Sequence, residues 1–158
     1  MASEIRQLAV ATPFGRVLVV TSDGDEIVAS EFRRRASARL RRGRTDALLR
    51  EARAQLSAYV RKRLRSFDLP LHLIGTDLEI ATWRLVARLE FGECISYADV
   101  ARAIGRPLAH RAVAAAMRKT PLDLLIPAHR VIGADGRVKG AGSSLRRRLL
   151  AFEGVKVR

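Results

Sequence analysis

The sequence predicts an α+β fold, a small N-terminal antiparallel sheet with one helix followed by a helical C-terminal half. Three observations predict it. The first third alternates apolar and polar residues in short runs split by turn signals. Residues 46–64 then repeat apolar side chains at helical spacing. After Gly75-Thr76-Asp77 the chain turns to short capped helices joined by tight turns.

Taken in order, residues 7–12, 16–21 and 26–32 read as strands, separated by Pro13-Phe14-Gly15 and Ser22-Asp23-Gly24-Asp25. Residues 36–43 form an Arg-rich connection. A helix follows from Asp46 to about Leu64, with Leu48, Leu49, Ala52, Leu56, Tyr59 and Val60 near one face. Phe67-Asp68-Leu69-Pro70-Leu71 breaks it and offers a returning strand. Gly75-Thr76-Asp77 marks a boundary between domains 1–75 and 76–158, with Thr76 or Asp77 as an N-cap. Residues 78–89 read as a helix with Ile80, Trp83, Val86 and Ala87 on its apolar side, ended by Phe91-Gly92-Glu93. Ser96 caps a short helix over 97–104 that Gly105 stops. Pro107 opens a third helix reaching about Lys119, ended by Thr120-Pro121. Two short helices around a Gly-containing turn make a helix-turn-helix candidate.

Composition narrows the classes. With 158 residues and 48% hydrophobic side chains the chain can bury a core, which excludes a wholly disordered basic tail. Apolar runs such as 17–20 and 112–117 fall far short of the ~20 residues of a membrane span. The first 15 residues lack the charged and apolar regions of a signal peptide, so the expectation is a soluble, cytoplasmic protein. One Cys forms neither an internal disulfide nor a Cys-rich zinc site, and no metal or cofactor is implied.

The net charge of +14 is unevenly spread. Residues 33–65 carry 13 basic and 2 acidic side chains, and residues 102–158 carry 13 and 3. Residues 1–32 and 66–101 are mildly acidic, at −3 and −4. A polyanionic partner fits this balance. For residues 33–65 a plain solvated helix face fits equally well.

Three segments carry a resemblance. They are Phe91-Gly92-Glu93-Cys94-Ile95-Ser96-Tyr97, the stretch from Gly105-Arg106-Pro107 through Arg111-Ala112-Val113, and Ile126-Pro127-Ala128-His129-Arg130-Val131-Ile132. In type and spacing they resemble the C-terminal domain of the O6-alkylguanine-DNA alkyltransferases, and residues 1–75 resemble that family's N-terminal sheet domain. The resemblance implies a ribonuclease H-like sheet domain followed by a winged helix-turn-helix domain. The family's specific pentapeptide is Pro-Cys-His-Arg-Val, and four of its five residues stand here, with Ala128 in the place of the alkyl-accepting Cys. His129 and Glu153 match the residues that activate that Cys.

The implied partner is duplex DNA carrying O6-alkylguanine, bound in the minor groove by a monomer associated with the nucleoid. Nucleotide excision repair proteins would receive the complex. The resemblance makes Arg111 the finger that fills the space left by a flipped nucleotide, and Tyr97 the residue that crowds the target phosphate. Ser96 is a helix cap, a phosphate contact or both, and Arg118 and Arg130 join the DNA contacts. Tyr97, Pro127, Ala128, Val131, Ala141, Gly142 and Ser143 would line the lesion pocket. Each has a plainer reading: Arg111 as an exposed helix Arg, Tyr97 as helix packing, His129 and Glu153 as structural.

Several positions depart from the family pattern. Thr120 replaces an Asn before Pro121, Ala141 replaces a pocket Tyr, and the segment after Ser144 is about two residues short. A methyl group offers no lone pair for attack, and Cys94 reads as a small buried side chain. The expectation is therefore that the chain is not an enzyme. A working alkyltransferase inactivated at its Cys, and a general DNA-binding protein without lesion specificity, remain open alternatives.

Overall fold

The structure, a computed structural model, describes residues 4–41, 44–138, 140 and 142–158. It divides into two compact units. The first holds residues 1–73 with 121–123, the second residues 74–120 with 124–158.

In the first unit the three alternating runs form strands β1 (Arg6–Ala11), β2 (Val17–Ser22) and β3 (Ile27–Arg33). They pair antiparallel in the order β1-β2-β3, each within one residue of its expected position. Asp23 folds the second hairpin by accepting the Asp25 and Glu26 amides at 2.9 and 2.8 Å. The outer edge of β3 is covered at two points. Ile27 exchanges backbone hydrogen bonds with Pro70 and His72, and Ser30 accepts the Asp123 amide. The run after Phe67 thus returns as a one-residue bridge at Leu71, short of a strand.

The Arg-rich connection contains a four-residue helix, α1 (Ala38–Arg41). Helix α2 (Ala47–Val60) follows, with Asp46 as N-cap accepting the Leu49 amide at 2.7 Å. Its Leu49, Ala52, Leu56 and Tyr59 are buried against the sheet. Full burial of Leu49 or Leu56 contributes about 1.5–3 kcal/mol each. The helix ends four residues earlier than the periodicity predicts. Lys62 takes a left-handed conformation (φ 59°), its amide bonds to the Tyr59 carbonyl, and the Arg63 amide reaches back to Ala58. This is a Schellman end built on Lys where Gly is usual.

In the second unit α3 (Asp77–Ala87) opens with a capping box. Thr76 Oγ1 accepts the Glu79 amide, and Glu79 accepts the Thr76 amide. The buried Trp83 indole donates to the Ala116 carbonyl at 3.0 Å, tying α3 to the helix that holds Ala116. A Cβ at Gly75 would lie 2.9 Å from that indole, so only Gly permits the ring to sit there.

Strand β4 (Ile95–Ser96) runs into α4 (Tyr97–Ala103), capped by Ser96 on the Asp99 amide and stopped by Gly105 at φ 78°. Helix α5 (His110–Arg118) starts later than Pro107 suggests, because the Ala109 amide closes a turn on Arg106 first. Strand β5 (Val131–Ile132) pairs parallel with β4, and α6 (Ser143–Phe152) completes the unit. The fold is α+β, with an N-terminal sheet and a C-terminal helix-turn-helix made of α4 and α5. Among the described residues no helix is long and apolar enough to cross a membrane.

Candidate nucleic-acid interface

Helix α5 has two distinct faces. Val113, Ala116 and Met117 are buried, packed toward α3 and α4. Arg111, Ala115 and Arg118 stand at i, i+4 and i+7, on the side about 150–200° away at 100° per residue. Arg111 and Arg118 are exposed, and their side chains make no hydrogen bond or ion pair among the described residues. Two long cations therefore project past alanines from the second helix of the helix-turn-helix. The turn before it carries Leu108, which is 94% exposed. Sequence reasoning passed over Leu108, since one apolar residue between Pro107 and Ala109 gives no periodic signal. Thr120 donates to the Met117 carbonyl of α5 at 2.7 Å, closing the helix on itself.

The parallel β4–β5 pair joins the other candidate residues. Its register sets Ile95 against Val131 and Ser96 against Ile132. The start of α4, with Ser96 and Tyr97, therefore lies alongside the strand that follows Pro127 and Ala128. Residues Ala128–Arg130 form one 3-10 turn, closed by the Arg130 amide on the Pro127 carbonyl at 2.9 Å. Ala128 and Tyr97 are half-buried, whereas Pro127 and Val131 are buried. Gly142, left-handed at φ 74°, and Ser143 stand at the start of α6, which packs on the 128–130 turn. Ala141, the remaining pocket candidate, lies outside the described residues.

Behind Ala128 lies a buried ionic cluster. The Glu153 carboxylate accepts His129 Nε2 at 2.5 Å, Arg130 Nε and Nη2 at 2.9 and 3.1 Å, and the Gly92 amide at 2.9 Å. Arg130 Nη1 donates to the Leu89 carbonyl at 2.6 Å. Burial pushes the Glu153 carboxyl up, but the hydrogen bonds from His129 and Arg130 outweigh it and hold the pKa at about 2. His129 is pushed down, first by burial and then by the Arg130 charge, against the pull of Glu153. The cluster is thus an Arg130–Glu153 pair bonded side-on, with a neutral His129 donating through Nε2.

This corrects the expectation that Arg130 contacts DNA. Its side chain is 1% exposed and spends its donors on Glu153 and Leu89, because the pair must be satisfied internally once buried. Cys94 is half-buried, and burial followed by the Glu153 charge pushes its thiol up. Among the described residues no group of three or more His, Cys, Asp and Glu side chains could hold a metal ion.

A family model described as the DNA-binding domain of 6-O-methylguanine DNA methyltransferase matches residues 77–155. The chain belongs to this family.

Among its relatives is the methylated-DNA–protein-cysteine methyltransferase of Methanosarcina barkeri, 44% identical over 96 residues, 61% of each chain. The protein of the same name from Methanosarcina acetivorans is 38% identical over 111 residues, 69% of this chain and 71% of that one. The matched stretch thus spans about three fifths of the M. barkeri relative (61%) and rather more of the second. The Mycobacterium tuberculosis methyltransferase solved in complex with DNA superimposes with a TM-score of 0.78 at 32% identity, covering 93% of this chain and 91% of that one.

These relatives overturn the expectation that the chain is not an enzyme. At 38–44% identity they bear the name methylated-DNA–protein-cysteine methyltransferase, which is the name of an enzyme. One side chain at position 128 was too narrow a basis for assigning a class.

Proposed function

We propose that this protein binds duplex DNA in the minor groove through α4 and α5 and holds an O6-alkylguanine swung out of the stack. The observation that carries the reading is the pair of exposed arginines, Arg111 and Arg118, flanking the half-buried Ala115 opposite the buried face of the second helix of a helix-turn-helix. Small residues let that helix sit close to a groove while Arg111 reaches further in. Membership in a family named for its DNA-binding domain, and the DNA-bound relative, support the partner.

Extracting a base costs a few kcal/mol of unstacking. In this reading Arg111 occupies the gap, and Tyr97, at the head of α4, crowds the backbone of the displaced nucleotide. The base rests in a pocket lined by Tyr97, Pro127, Ala128, Val131, Gly142 and Ser143. A methyl at Ala128 leaves more room beside the O6 substituent than a thiol would.

The test is binding to matched duplexes with and without one O6-methylguanine at a single salt concentration. The modified duplex is expected to bind at least tenfold tighter. Arg111→Ala is expected to lose most of that preference, since the unstacking cost is then uncompensated. Equal affinity of the parent protein for both duplexes overturns lesion recognition, leaving a general DNA-binding protein. A variant that retains the full preference overturns the role of Arg111.

A further inference from the structure

The lesion reading leaves the basic stretch over residues 33–65 without a task, and it lies in the first unit. Within it, α2 and the turn that ends it carry six basic side chains and one acidic over residues 47–65. Arg50, Arg53 and Arg61 fall within an arc of about 80° on the helix, centred about 120° from the middle of its buried face of Leu49, Ala52, Leu56 and Tyr59. All three are exposed, and their side chains form no hydrogen bond or ion pair among the described residues. The nearby acids are otherwise engaged. Glu51 is bonded by Gln55 at 3.0 Å, and Asp46 caps the helix. Gln55 also exchanges hydrogen bonds of 2.8 Å with the backbone of Asp68, pinning the turn over residues 61–68 to the helix.

We infer that this arginine strip of α2 is a second nucleic-acid surface that docks on the phosphate backbone, indifferent to sequence and lesion. Eleven residues at 1.5 Å each put Arg50 and Arg61 about 16 Å apart along the helix axis. B-form DNA presents a phosphate about every 3.4 Å of axis on each strand, so the strip faces roughly five phosphates of one strand. Guanidinium groups suit such contacts, since each can bond two phosphate oxygens at once.

An acidic peptide is the competing occupant. A groove of about 290 Å³ runs between residues 9–11 of β1 and Leu56 and Val60 of α2, rimmed by Arg53 and Arg61. The charge is not confined to the groove, however. Arg50 and Arg63 lie outside the groove lining and are exposed too. Cations that continue past both ends of the groove fit a partner whose charge repeats along its length.

The experiment is a salt titration of the full-length protein against an unmodified duplex, comparing the parent with Arg50→Gln/Arg53→Gln/Arg61→Gln. Each lost phosphate contact flattens the slope of log affinity against log salt by about 0.9, so the triple variant is expected to lose up to about 2.7. The corresponding Lys triple keeps the point charges and is expected to keep the slope, which separates charge from any change of structure. An unchanged slope in the Gln triple overturns the inference. So does a slope lost equally in the Lys triple. A Gln triple that releases a labelled oligoglutamate peptide while holding DNA as the parent does also overturns it, in favour of a peptide groove.

The inference stands apart from lesion recognition. The Gln triple weakens modified and unmodified duplexes by the same factor, so its lesion preference equals that of the parent. Failure of the lesion reading appears as equal affinities in the parent itself.

Discussion

Replacing Glu153 by Ala removes the acceptor at the centre of the buried cluster and leaves the Arg130 charge without a partner. A carboxylate held at about 2 in place of its ordinary 4.5 contributes about 3 kcal/mol of stability at neutral pH. Removing one partner of a buried pair costs about 3–5 kcal/mol, so two routes converge on roughly 3 kcal/mol. Trp83, the single Trp, is buried in the same unit, and its fluorescence reports that unit's unfolding in urea. The expected fall in thermal midpoint is about 6–12 °C, at roughly 2–4 °C per kcal/mol.

The pH dependence fixes the sign. The folded pKa of Glu153 lies below its unfolded value, so its contribution is present above about 4.5 and is lost as pH falls toward 2. His129 is also lowered, so the folded protein resists its protonation and loses stability as pH falls below about 6.5. In Glu153→Ala the step between pH 4.5 and 2 should vanish. A loss below 1 kcal/mol, or parallel stability curves for parent and variant through that window, would refute this account of the cluster.

Two further outcomes are expected. Thr76→Ala breaks the capping box of α3 and should cost about 1 kcal/mol, read by Trp83 fluorescence, while Thr76→Ser keeps the oxygen and most of the stability. Ala128→Cys places a thiol on the half-buried first residue of the 128–130 turn, beside His129. It should raise alkyl transfer from O6-methylguanine duplex to protein above that of the parent chain, measured by intact mass. No increase would show that more than the acceptor atom has changed.

Much of the fold could be read from the chain because local signals were unopposed. The hairpin turns at residues 13–15 and 22–25 set the three strands, and Ser96 and Gly105 bracket α4. The misreadings have local causes. The end of α2 carries Lys62 in a left-handed position that sequence rules reserve for Gly, so periodicity overran it. Pro107 suggested a helix start, but a turn closed by Ala109 and Arg106 intervenes. At the candidate site, the burial of Arg130 had a signal in the sequence. It sits between apolar residues at 124–127 and Val131, where an Arg must find a counter-charge or leave. What could not be read was which acid supplies it, since Glu153 arrives from 23 residues away.

The cluster also explains why a chain with Ala128 would retain His129, Arg130 and Glu153. The Glu153 carboxylate, at the end of α6, gathers the 128–130 turn through His129 and Arg130 and the 91–93 turn through Gly92. Arg130 extends the network to Leu89, just past α3. Three segments distant in sequence are joined by one buried ion pair, and breaking any member leaves an uncompensated charge or donor. That role needs no atom of residue 128 beyond its backbone. The trio is therefore accounted for by architecture alone, and its presence says nothing for or against chemistry at Ala128. The residues on which the proposed recognition rests are ones this architecture does not use: Arg111 and Arg118, exposed on α5, make no side-chain hydrogen bond or ion pair among the described residues.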